Sequence, residues 1–160
     1  MHIIQLPYPD SPLRTRRLQG KAEVWDPCRR RFVALSPEEF VRQRMLRYLL
    51  ESLRYPVSQL KVEGGIYLNG LPRRPDILVH RKAEPWMLVE CKRPEQALDE
   101  TVLQQLLEYN RSVPCRFLVM SNGPQTVCLE RDGGSWRFLA ELPPHPEEGS
   151  SGQGKIPSWA

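Results

Sequence analysis

Apolar and polar positions along this chain follow two rhythms, one helical and one extended, and they divide it cleanly. The helical rhythm starts at Ser36. Ser36 is a good N-cap, Pro37 suits the first helical position, and Glu39 stands where a capping box needs it. Leu35 and Phe40 are spaced for a hydrophobic staple. Val41, Met45, Tyr48, Leu49 and Ser52 recur along one side, and Leu46, Leu50 and Leu53 widen it. Arg42, Arg44 and Arg47 fall on the remaining surface, and Tyr55-Pro56 ends the helix near Arg54. A second helix is capped by Asp99, with Leu98 and Leu103 as its staple, and runs to about Asn110 before Pro114.

The rest reads as strands and turns. Leu60 to Glu63 and Ile66 to Leu68 are separated by a Gly64-Gly65 bulge and followed by an Asn69-Gly70 turn. Residues 75–80 and 86–92 form an antiparallel pair through a short charged turn, Arg81 to Pro85. Arg116 to Met120 is a strand that can return parallel through a helical crossover. Gln125 to Glu130 and Ser135 to Leu139 make a last hairpin around Asp132-Gly133-Gly134. Ahead of the first helix, Lys21 to Trp25 and Arg31 to Leu35 pair as a small flap, and residues 1–19 read as one short strand or an extended arm around Ile3 to Leu6, then loop. The pattern predicts an α/β (α+β) fold with a mixed central sheet flanked by helices. Residues 1–35 are its arm and flap strands, 36–142 its core, and 143–160, Pro/Gly/Ser/Glu-rich and aperiodic, a disordered tail.

Composition changes this picture little. With 40% hydrophobic and 26% charged residues over 160 positions, the chain suits one soluble globular domain. No apolar run is long enough for a membrane span, and the N-terminus lacks a signal-peptide pattern, so a cytoplasmic protein without membrane contact is expected. Cys28, Cys91, Cys115 and Cys128 are scattered, with no pairing or histidine spacing that suggests zinc or a disulfide framework. The net charge of +4 is a mild bias toward polyanions.

Candidate chemistry lies in the antiparallel pair. Asp76 opens its first strand directly after Pro75, and Glu90 and Lys92 end its second, two apart and so on one face. A hairpin returns the end of its second strand to the start of its first. Two carboxylates and an ammonium therefore converge at one rim of the sheet. Convergent carboxylates repel unless a cation sits between them. Oxygen ligands of this kind suit magnesium, which completes its shell with waters and substrate phosphate oxygens. A lysine beside such an ion can orient water or offset charge on phosphate. A Glu-x-Lys pair alone is more often a surface salt bridge; the combination with Pro-Asp and a hairpin gap favours catalysis.

These residues, Pro75-Asp76 and Glu90-Cys91-Lys92, resemble the signature of the PD-(D/E)xK nuclease superfamily. More closely, the chain resembles the N-terminal nuclease domain of type I restriction enzyme R subunits in a free-standing form. The similarity runs from about Val33 to Gly123 and takes in Leu35 to Gln43, Leu68-Asn-Gly-Leu71, Gln105 to Tyr109 and Ser121-Asn-Gly123. The resemblance implies a restriction-endonuclease-like αβββαβ core and metal-dependent endonuclease activity on DNA. It implies that Asp76, Glu90 and the backbone carbonyl of Cys91 hold Mg2+, with Mn2+ as an alternative, while Lys92 positions the attacking water. Gln105 and Tyr109 match the Gln-x-x-x-Tyr motif that lies near the active site and DNA in those subunits. Related nucleases also place an acidic or amide residue on the first helix near the metal; Glu39 and Gln43 are the candidates, though Glu39 has a complete explanation as a cap. Arg73, Arg74 and Arg93 flank the site. They read as a solvated rim or as arginine forks for DNA phosphates. DNA is the expected partner, with other restriction or repair subunits and a homodimer left open. No Gly-x-x-x-x-Gly-Lys loop marks a motor. The competing readings are a DNA-binding accessory protein on a nuclease fold without independent activity, and a purely structural charge cluster.

Overall fold

A computed structural model describes the backbone of residues 1–68 and 70–146, with the side chains of 66–68 excepted. Its strands begin with β1 (Thr15–Leu18), β2 (Lys21–Asp26) and β3 (Arg31–Ala34), which form an antiparallel sheet of their own. Helix α1 (Pro37–Arg47) follows and continues as a π-helical turn, Tyr48–Ser52. Then come β4 (Leu60–Val62), the hairpin strands β5 (Ile66–Leu68) and β6 (Leu71–Arg73), and the long pair β7 (Ile77–Arg81) and β8 (Glu84–Cys91). Helix α2 (Glu100–Ser112) leads into β9 (Phe117–Ser121), β10 (Thr126–Asp132) and β11 (Ser135–Phe138).

The main sheet has the order β11-β10-β9-β8-β7-β4. All its neighbours are antiparallel except β8 and β9, whose parallel register pairs Glu90 with Met120 and Cys91 with Ser121. This is the crossover expected of a helix between two strands. Read in chain order, α1, β4, β7, β8, α2 and β9 give the αβββαβ arrangement. The middles of the central strands are apolar because both faces are covered. On one face Ile77, Val79, Met87, Val89 and Cys91 pack against Val41, Met45, Leu46 and Leu49 of α1. On the other, Leu78, Leu88, Leu118 and Met120 meet Val102, Leu106 and Tyr109 of α2. The arm joins the first core through Ile4 and Leu6, with Ile4 bridging backbone to backbone onto Thr126.

Several local expectations change. Thr15–Leu18 is a strand, not loop; all four residues are exposed, so no apolar alternation announces it. Ser36 accepts from the Glu39 N–H at 3.0 Å, but the Glu39 carboxylate does not return to the cap and points into a buried ion network instead. Phe40 is 46% exposed and Leu35 half-buried, so the residues expected as a staple lie at the surface and outside both core clusters. The turn between β7 and β8 is tighter than expected. Lys82 and Ala83 both take positive φ, at 50° and 62°, the pattern of a type I′ turn that usually recruits asparagine and glycine. Asn69 lies outside the described residues; Gly70 beside it has φ +76°, as a turn glycine should.

The stretch beginning at Pro143 is tied to the body at its start. Tyr55 donates to the Pro143 carbonyl at 2.7 Å, and the His145 N–H to the Leu53 carbonyl at 2.9 Å; residues 147–160 lie outside the described residues. The same Tyr55 hydroxyl accepts from the Trp86 ring N–H at 3.0 Å. Tyr55→Phe is therefore expected to leave that half-buried donor unpaired and cost about 1 kcal/mol in a denaturant melt; an unchanged midpoint would refute the role given to this bond.

Candidate functional site

The carboxyl ends of the parallel strands β8 and β9 and the start of β7 form one rim of the sheet, where α1 and α2 meet from opposite faces. Asp76 immediately precedes β7, and both its oxygens are engaged. Oδ2 accepts from the Cys91 backbone N–H at 2.8 Å. Oδ1 accepts from Arg42 of α1, through Nε at 3.1 Å and through Nη2. Glu90, directly across the hairpin, accepts from Lys92 Nζ at 3.3 Å and from Gln105 Nε2 at 3.2 Å, both on Oε1. Lys92 also donates to Gln105 Oε1 at 3.1 Å, and the Gln105 amide reaches the Tyr109 hydroxyl at 3.4 Å. Helix α2 thus clamps the Glu-x-Lys pair through Gln105, with Tyr109 one turn along bonded to Gln105. Asp76, Glu90, Lys92, Gln105 and Tyr109 are brought into one contiguous cluster. A cleft of about 200 Å³ opens on it, lined by Arg73, Gln105, Glu108 and Tyr109. Arg74 and Arg93 are exposed, with no side-chain bond in the cluster.

The electrostatics are uneven. Asp76 and Glu90 are 4% and 5% exposed, yet both are acids. Burial, and then the Asp76 charge, push the Glu90 carboxyl up to about 8, against which Lys92 works only in part. Glu90 Oε2 is buried without a hydrogen-bond partner. A buried acceptor of this kind normally finds a donor, a water or an ion. Half-buried Glu38, in the first turn of α1, also lies in the field of Asp76 and Lys92; burial first and Asp76 second raise its carboxyl. Among the described residues, no three acids, histidines or cysteines are already grouped around a common point for a metal.

Behind the cluster lies an ion network that the helix pattern did not announce. Arg42, expected on the surface, is 5% exposed. Besides Asp76, it pairs with Glu39 at 2.8 Å and Glu63 at 3.3 Å. Arg29 pairs with Asp26, Glu39 and Glu63 at 2.8, 2.6 and 3.2 Å. Gln43, fully buried, donates to Asp26 Oδ2 at 2.9 Å and to Glu39 Oε2 at 3.3 Å. Glu39 and Gln43 therefore belong to this support layer and touch neither Asp76 nor Glu90 directly. Glu63 enters it with φ at +49°, a left-handed backbone that costs a non-glycine residue roughly 1–2 kcal/mol. Its N–H is held by the Asp76 carbonyl at 3.0 Å. The spacing of Arg42 on α1, three residues after Glu39, was the one available signal, and it reads equally well as a surface pair.

A third segment closes the rim. The Lys92 N–H bonds the Ser121 carbonyl at 2.8 Å, and Asn122 donates to the Gln96 carbonyl at 3.0 Å while accepting from Gln125 N–H at 2.9 Å. The turn after β9 therefore fixes the loop that leaves Lys92. Gly123 takes φ +98°, and its carbonyl accepts from Tyr8 at 3.1 Å, so a side chain there would be strained.

No curated protein and no solved structure matches the chain. The sequence profile of the type I restriction enzyme R protein N-terminus matches residues 37–143, from the first turn of α1 past β11. That span holds both helices, the main sheet and every residue of the acid–lysine–glutamine cluster, and by it the chain belongs to the type I restriction enzyme R protein N-terminus family.

Proposed function

We propose that this chain is a metal-dependent DNA endonuclease module, hydrolysing phosphodiester bonds at the Asp76–Glu90–Lys92 cluster. The observation that carries the reading is the unsatisfied Glu90 Oε2, buried beside a second carboxylate with an ammonium two residues away. This donor set asks for a hard cation. Glu90 offers a free oxygen, and Asp76 joins it by exchanging its Arg42 contact; the Cys91 carbonyl completes the proposed ligands. The ion, Mg2+ or Mn2+, would supply charge stabilisation at the phosphate and a more acidic water. Lys92 would orient the attacking water and offset the charge that builds on the phosphate oxygens as the water oxygen bonds to phosphorus, releasing a proton to solvent, and the P–O bond to the leaving sugar oxygen breaks, that oxygen taking a proton from solvent. Gln105 keeps Lys92 aimed, and Tyr109 keeps Gln105 aimed. Arg73, Arg74 and Arg93 grip the flanking phosphates. A cytoplasmic setting with reduced cysteines suits this chemistry; all four cysteines are free.

One observation favours a second reading, a DNA-binding subunit that needs partners before it cuts. Arg42 already neutralises Asp76, and so competes with a cation for it. The test is cleavage of plasmid and linear DNA by the isolated chain in magnesium or manganese, with a chelator control. Metal-dependent nicking or linearisation supports the nuclease. Salt-sensitive binding without cleavage supports the accessory subunit, and neither binding nor cleavage would remove both.

A further inference from the structure

The sheet β1–β2–β3 lies outside the family span and has a distinct chemistry. Residues 1–35 carry seven basic and three acidic side chains, which is the whole +4 of the chain; the remaining 16 basic and 16 acidic residues cancel. The register sorts this sheet into two faces. Val24, Asp26 and Val33 share the inner face and are buried, with Asp26 bonded to Arg29 and Gln43 behind the acid cluster. The outer face carries Arg14, Arg16, Lys21, Glu23, Trp25 and Phe32. Two aromatic rings on a solvent face are unusual, and here each lies under an arginine. The Arg14 guanidinium is 4.8 Å from the Trp25 ring centre and 5.2 Å from that of Phe32, and Arg16 is 3.9 Å from Phe32. Trp25 and Phe32 meet edge to face at 5.3 Å, so the platform is itself packed.

Stacking fixes the plane of a guanidinium while leaving its edge N–H groups free to donate. Arg16 spends Nε on Glu23 at 2.8 Å, and among the described residues its terminal nitrogens make no hydrogen bond and Arg14 makes no ion pair. Shielding of two rings explains the stack. It does not explain why the chain's entire charge excess gathers on this appendage, whose inner face is bonded to the layer that supports Asp76. Pre-oriented arginine forks match phosphate oxygens, and two of them side by side match a phosphodiester backbone.

We propose that the outer face of β1–β3 is a second DNA-contact surface, on which Arg14 and Arg16 grip duplex backbone phosphates. The inference rests on the reading of the chain as a protein acting on DNA. The test is the salt dependence of binding to a fluorescent duplex, for the parent and for Arg14→Gln with Arg16→Gln. Each phosphate contact contributes about 0.9 to the slope of log affinity against log salt. The double variant is therefore expected to bind more weakly, with a slope shallower by about 2, and each single variant by about half of that. These side chains are exposed, so far-UV circular dichroism should be unchanged. Lys82→Gln with Arg131→Gln is the charge-matched control: both residues sit at the end of the sheet opposite the acid cluster, and that slope should stay at the parent's value. A parent that binds duplex with salt sensitivity, and a double variant with the same slope, would overturn this surface and leave the nuclease reading intact. Loss confined to a single-stranded oligonucleotide would overturn it in favour of another ligand. A parent that binds no DNA would overturn both readings.

Discussion

Asp76→Asn is expected to destabilise the metal-free protein by about 3 kcal/mol, the low end of the range for breaking a buried ion pair, while Glu90→Gln leaves it unchanged or more stable. The two acids face each other across a hairpin, and charge repulsion alone would make either neutralisation favourable. Their partners separate them. Asp76 is the acceptor for the Arg42 fork and for the Cys91 N–H, so its loss strands a buried guanidinium. Arg42 keeps Glu39 and Glu63, which limits the damage. Glu90 has one oxygen without a partner and a carboxyl raised to about 8 from 4.5, chiefly by burial. The folded state therefore binds its proton more tightly than the unfolded state does. Its contribution to stability is full below pH 4.5 and is lost as pH rises toward 8. The melting temperatures of Glu90→Gln and parent should coincide near pH 4 and diverge in favour of the variant by pH 8. A variant less stable than the parent at pH 8 would show that Glu90 is a structural ion-pair partner and not a strained acid.

Removing the ammonium tests chemistry instead of folding. Lys92→Met keeps the aliphatic stem and is expected to lower metal-dependent cleavage by roughly 10²–10³-fold, the usual worth of a donor that stabilises developing charge. Glu90 keeps its Gln105 contact, so the cluster should hold its shape. Duplex affinity at fixed salt should change little, because the proposed phosphate grip lies with the arginines. Cleavage by the variant within tenfold of the parent would remove Lys92 from the reaction. A matched loss of binding and cleavage would make it a phosphate contact.

Much of this arrangement was legible before any fold was seen, for reasons that can be named. The caps at Ser36 and Asp99, the helical rhythm from Val41 to Leu49 and the apolar runs of β7, β8 and β9 are local signals, and each marks an element of the structure. A hairpin is also local, so Asp76 had to lie near Glu90 and Lys92 once the turn was recognised. Gln105 and Tyr109 were placed beside Lys92 by resemblance alone; the crossover through α2 puts their side chains there.

What stayed hidden depends on residues distant in sequence. Arg42 reads as a surface arginine on any helical wheel, because nothing in its neighbourhood shows that Asp76 and Glu63 will arrive against it. Glu39 reads as a cap for the same reason, since its true partners are Arg29 and Arg42. β1 has no apolar rhythm to announce it, and its register with β2 alone sets Arg14 and Arg16 over Trp25 and Phe32. Local signals suffice for the helices, the central hairpin and the proximity of Asp76, Glu90 and Lys92, because periodicity, caps and turns act over a few residues. Packing decides that both Asp76 oxygens are bonded while one Glu90 oxygen has no partner, because burial and the approach of Arg42 are properties of the packed chain and not of any segment of it.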